Sequence, residues 1–137
     1  MISMVRGYQG LDSELDEVEK RGSRGEKQIA RMLTRYGIRY VYEHPVAVLD
    51  RGRVRIWYPD LWLPDYGIVI EYVGSRADED YVEGIEHKKA VYEVAGFPAI
   101  FLDAGSLSGG WPMRVIERIG DIVKERARKF DSLDDMR

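Results

Sequence analysis

The chain contains no cysteine. That absence removes disulfides, thiolate nucleophiles and thiolate zinc sites together. Histidine is scarce as well, only His44 and His87, which argues against a histidine-rich metal centre. A metal bound here would be a hard cation held by oxygen, which points to Mg²⁺ or Mn²⁺. No apolar run approaches the ~20 residues that a membrane span requires. The first ten residues lack the basic stretch followed by an apolar run that marks a secretory signal. No membrane association and a cytoplasmic location are therefore expected. Internal repeats and low-complexity tracts are missing. The glycine-rich stretch 105–110 is not followed by Gly-Lys-Ser/Thr, so it is not a phosphate-binding loop of that kind. An excess of positive charge is also lacking. The formal net charge is −3, which counts mildly against blanket phosphate neutralisation, although a carboxylate cluster that holds cations lowers the net charge by itself.

What remains is a chain of 137 residues, 45% apolar and 33% charged, the profile of one soluble globular domain able to bury a core without staples. Its organisation reads as an N-terminal arm over residues 1–22 with a short helix at 11–21, a single domain over 23–130, and a solvated tail over 131–137. Ser23 followed three residues later by Glu26 fits a capping box. Ile29, Ala30, Leu33 and Tyr36 then form a buried helical stripe that Gly37 stops. From Ile38 the period changes to that of a strand over 38–43, which Val46–Leu49 extends past Pro45. Asp50-Arg51-Gly52-Arg53 is turn chemistry. Residues 54–58 form the return strand, continuing through Leu61-Trp62-Leu63. A third strand, 68–73, is apolar on both faces except at Glu71, as in the centre of an α/β sheet. A helix over 78–95, a strand over 98–102, a flexible loop at 105–110 and a helix over 112–130 complete the order. The expected fold class is α/β, a mixed sheet flanked by helices in the order α-β-β-β-α-β-α.

Glu71 is the most informative residue. A carboxylate in an otherwise apolar strand costs several kcal/mol, roughly, unless it pairs, neutralises or binds a metal. The alternative to a functional role is an ion pair with Lys or Arg. Asp60 follows Pro59, where a kink or bulge re-aims the next side chain, and the turn at 64–67 brings it beside Glu71. Two such carboxylates repel each other, and a divalent cation relieves that repulsion. An Asp capping the turn is the competing reading.

These residues resemble the PD-(D/E)XK nuclease superfamily, which has the restriction-endonuclease-like fold. Pro59-Asp60 matches the PD element, Glu71-Tyr72-Val73 the (D/E)XK element, and Glu26 the acidic residue on the first helix of many members. The resemblance spans roughly residues 23–103. One position departs from it: the lysine of the motif would fall at Val73, and valine cannot activate water. On the helix over 78–95, Tyr81, Ile85, Tyr92 and Ala95 share one stripe with Lys88 in its middle, while Lys89 sits at the edge and Glu83, Glu86, His87 and Glu93 lie outside. Lys88 either snorkels outward or reaches the space beside Val73. Some nuclease subgroups look similar, with the lysine moved to this helix, and Lys88 is preferred over Lys89.

The resemblance implies a Mg²⁺- or Mn²⁺-dependent deoxyribonuclease. Asp60, Glu71 and the backbone carbonyl of Tyr72 would hold the metal, Lys88 would act on the attacking water or the phosphoryl charge, and Glu26 would support the site, a role that competes with capping Ser23. Arg53 and Arg55 on the hairpin and Arg76 after the third strand are candidate contacts to substrate phosphate; a solvated hairpin is the other reading for the first two. Tyr58, Trp62 and Tyr66 are candidates for base stacking, with core packing or a dimer surface as the rival. DNA is the expected partner, with room left for a homodimer or a protein partner in repair, recombination or restriction. The small size favours recognition of DNA structure over a long sequence. A non-catalytic nucleic-acid-binding or assembly subunit, and a ribonuclease or tRNA-processing enzyme, are the alternatives.

Overall fold

The computed structural model describes residues 13–74 and 79–135. Its elements are α1 (13–21), α2 (Arg24–Arg35), β1 (Val41–Tyr42), β2 (Val46–Asp50), β3 (Arg53–Trp57), β4 (Leu61–Leu63), β5 (Ile68–Tyr72), α3 (Glu79–Ala95), β6 (Ala99–Leu102), a 3₁₀ turn (Gly105–Leu107) and α4 (Trp111–Asp135). The main sheet has the order β1-β4-β5-β6. β4 runs antiparallel to β1 and to β5, and β6 runs parallel to β5. That parallel pair is joined by α3, as a same-sheet crossover requires. The fold is thus α/β with a mixed sheet. No described helix is long and apolar enough to cross a membrane.

The three strands expected before α3 are five. Residues 46–57 leave the sheet as a separate two-stranded hairpin, β2–β3. Pro45 and Pro59 bracket it, and neither has an N–H to give to a ladder. Glu43 adds a positive φ of 54° at the first break. The hairpin closes through Arg51 and Gly52, both at positive φ (52° and 78°), the pattern of a type I′ turn.

Alternation along β5 assigns the two layers. Ile68 and Ile70 face a core built from α1, α2 and α4, with Val18, Ile29, Leu33, Val115 and Ile119 among its members. Val69 faces a second cluster made with α3 and the hairpin, where Val46, Val48, Val91 and Tyr92 pack with Trp57, Trp62 and Phe101. By the same parity Glu71 faces α3. All of Ile68–Glu71 is buried, as expected for a strand covered on both faces.

Three expectations at the helices need correction. Tyr36 is the C-cap of α2 and is 47% exposed, outside the buried stripe, because the helix ends before the stripe completes another turn. α4 runs on to Asp135, five residues past its expected end, and Phe130 within it is 72% exposed. His87 does not face solvent alone. It turns to the hairpin, with Nε2 2.8 Å from Asp50 Oδ1 and its ring edge-on to Trp57.

Candidate functional site

Asp60 lies one residue before β4. Extending the register Leu61↔Ile70 by one pair sets it opposite Glu71, and both side chains point toward α3 by strand parity. The two carboxylates are held crosswise by backbone amides. The Asp60 N–H donates to Glu71 Oε1 at 2.8 Å, and the Tyr72 N–H donates to Asp60 Oδ2 at 2.8 Å. Lys88 Nζ donates to Glu71 Oε2 at 3.0 Å. Glu71 is only 4% exposed, whereas the Lys88 side chain is half exposed. Lys88 therefore spans from solvent to the buried acid. Lys89, one residue on, instead bonds Glu86 at 3.2 Å and lies over the Phe101 ring.

Burial pushes the Asp60 carboxyl up to about 8, and the neighbouring Glu71 charge pushes in the same direction. The Tyr72 amide offsets part of this, while Glu26 adds to it. Burial likewise raises the Tyr92 hydroxyl well above its ordinary range, helped by Glu71 and Asp60, so Tyr92 stays neutral beside the pair.

Glu26 keeps both capping-box bonds, accepting the Ser23 N–H at 2.7 Å while its own N–H donates to Ser23 Oγ at 3.2 Å. Its closeness to the carboxylates depends on Gly25. A Cβ added at Gly25 would land in the Tyr72 ring, so the absent side chain lets the start of α2 rest on the end of β5. Sequence reasoning passed over this residue. Its one signal is a glycine in a helix turn where alanine is the better helix former. Gly25→Ala is expected to destabilise the protein by about 3 kcal/mol, at the upper end for overpacking, in urea unfolding, because the clash is with an aromatic ring and not a flexible side-chain tip.

A cavity of about 330 Å³ opens over the carboxylates, with Tyr58, Val73, Tyr81 and Lys88 in its wall. Two larger clefts, of about 480 and 580 Å³, flank β6 between α3 and α4. Neither has Asp60 or Glu71 in its wall, so size does not select the site; converging polar groups do. Arg53 and Arg55 are not part of the cavity wall. Arg55 turns to Asp50 instead, at 3.7 Å. Arg76 lies outside the described residues.

The donors suit a hard cation. The two carboxylates offer oxygen, and their mutual repulsion is what a divalent ion would relieve. Among the described residues no group of three or more acidic or histidine side chains is placed to hold a metal; Glu26 approaches the pair on the Asp60 side, where it helps raise the Asp60 carboxyl. Few protein ligands with several waters is the habit of Mg²⁺. No protein-family model, no curated protein and no solved structure matches the chain.

Proposed function

We propose that the chain is a metal-dependent nuclease that hydrolyses DNA phosphodiester bonds, a relative of the PD-(D/E)XK enzymes whose lysine has moved from the strand to α3. The observation that carries this reading is the contact of Lys88 Nζ with Glu71 Oε2 at 3.0 Å. It gives the buried acidic pair the cation that Val73 cannot supply. The mixed sheet with a helical crossover after the acidic strand also supports it. The two-stranded hairpin is then an insertion between the first and second strands of the restriction-endonuclease-like core.

In this reading Asp60, Glu71 and the Tyr72 carbonyl hold Mg²⁺ or Mn²⁺. When bound, the ion supplies Lewis-acid polarisation of a phosphoryl oxygen and a water of lowered pKa. The residues do the rest. The crossed amide bonds keep both carboxylates aimed before any ligand arrives, so no reorganisation is needed at the reacting centre. Lys88, reaching in from the solvent side, orients the attacking water and stabilises negative charge growing on the phosphoryl oxygens. The water oxygen bonds to phosphorus, one P–O ester bond breaks, and a proton passes to the leaving oxygen. Glu26 steadies the Asp60 side through its place at the start of α2.

The test is cleavage of supercoiled, branched and single-stranded DNA and of RNA with MnCl₂ or MgCl₂, alongside Mn²⁺ titration calorimetry. Metal-dependent cutting of DNA is expected, reduced roughly 10³-fold or more by Glu71→Gln with the circular-dichroism spectrum unchanged. Preference for RNA would shift the reading to a ribonuclease. No cleavage of any substrate together with no Mn²⁺ heat would leave a non-catalytic binding subunit.

A further inference from the structure

Charge alone does not explain how the proposed site would hold a polynucleotide. Among the described residues, the cavity wall carries three carboxylates, Asp60, Glu71 and Asp80, against the single ammonium of Lys88. Even a divalent ion would only neutralise that surplus. Affinity from phosphate contacts, the usual source for duplex binders, is weak here, and the chain as a whole is acidic.

The aromatic side chains divide clearly. Trp57 packs edge-on to Tyr92. Trp62 is held between His44 and Phe97. Tyr72 lies against Gly25. Tyr66 is partly exposed at the β4–β5 turn and is absent from the cavity wall. Tyr72 and Tyr81 also border the cavity but are only partly exposed, whereas Tyr58 borders it and is 62% exposed. The next residue, Pro59, is fully buried, which pins its backbone. Two residues of chain, at most about 7 Å, separate Tyr58 from Asp60, the scale of a single nucleotide.

Taking the nuclease reading as its premise, we infer that Tyr58 is a stacking platform for an unpaired nucleobase beside the scissile phosphate, and that the substrate class is single-stranded or locally unpaired nucleic acid. A paired base has both faces occupied by its neighbours and offers none to Tyr58. An unpaired base offers its face freely, and stacking then supplies binding that the acidic wall does not. Tyr58 contributes to specificity and positioning; the chemistry stays with Asp60, Glu71 and Lys88.

The experiment is fluorescence anisotropy with a short fluorescein-labelled oligothymidylate and with a hairpin duplex of matched length, in CaCl₂ to avoid turnover. The single strand is expected to bind at least about tenfold more tightly than the duplex. Its affinity should fall less than about tenfold between 50 and 200 mM salt, where a protein making many phosphate contacts loses 10³-fold or more. Tyr58→Ala should weaken single-strand binding roughly 10- to 100-fold. Tyr58→Trp should preserve it, and Tyr66→Ala should leave it unchanged. Equal binding of duplex and single strand, or an unchanged affinity in Tyr58→Ala, would overturn the inference, and Mn²⁺-dependent cleavage by the same preparation would show that the nuclease reading survives. Binding that depends on Tyr58 without any cleavage would support the stacking role and count against the nuclease reading alone.

Discussion

Asp60→Asn is expected to make the metal-free protein more stable at pH 8 while abolishing metal-dependent cleavage. The two effects have one origin. In the folded chain, burial and the Glu71 charge raise the Asp60 carboxyl from an ordinary 3.8 to about 8. A raised carboxyl means the folded state binds its proton more tightly than the unfolded state does. Folding is therefore unpenalised below about pH 4, loses stability as pH rises between the two values, and carries the whole penalty above about pH 8. Every tenfold difference in proton affinity between the two states corresponds to about 1.4 kcal/mol. Solvent at the open side of the cavity screens part of that, which leaves a penalty on the order of a few kcal/mol and a Tm difference of several degrees for a chain of this size. Asparagine keeps an oxygen for the Tyr72 amide and never ionises. Thermal melts in EDTA should show wild type and variant close together at pH 4 and separated at pH 8, with the variant higher. Adding Mn²⁺ at pH 8 should raise the wild-type Tm and leave the variant nearly unmoved. Equal Tm values at pH 8 in EDTA would remove the electrostatic basis of the site.

Lys88→Met should lower single-turnover cleavage roughly 10²- to 10³-fold, the usual scale for losing one group that stabilises transition-state charge. Lys89→Met should change it less than about threefold. The stability effects are expected to be small by comparison. The Lys88 ammonium sits on a half-exposed side chain, so losing its contact with Glu71 should cost about 1–2 kcal/mol in urea unfolding, below the 3–5 kcal/mol of a fully buried pair. Lys88→Arg keeps the charge but changes its shape and reach, so only partial activity is expected to return. If Lys89→Met proved the damaging change, the helical phase assigned to α3 would be off by one residue.

The carboxylate pair was legible in the sequence because it depends on local rules. Strand parity puts Asp60 and Glu71 on one face, a short turn puts them in register, and helical phase puts Lys88 on the inner stripe. The capping box at Ser23 was legible for the same reason. The division into two sheets was not. In the sequence the strand reads on past Pro45 and Pro59 reads as a local kink, and only their placement at matching levels of one long hairpin makes a fork. Tyr36 and Phe130 fit the helical period and yet are exposed, since periodicity reports a face and not whether anything covers it. His87 lies outside the main stripe of α3, and its partner Asp50 comes from a hairpin whose docking depends on tertiary packing. Gly25 was missed because its importance belongs to the Tyr72 ring above it.

The crossed amides at Asp60 and Glu71 have a further consequence. Each carboxylate ends where it does because a main-chain N–H of the opposite strand segment meets it there, the Asp60 amide at Glu71 and the Tyr72 amide at Asp60. The shorter side chain matches one gap and the longer side chain the other. Exchanging the two acids would leave the net charge of the chain untouched and present each amide with a side chain of the wrong length. At this point the two strands act as a gauge of side-chain length.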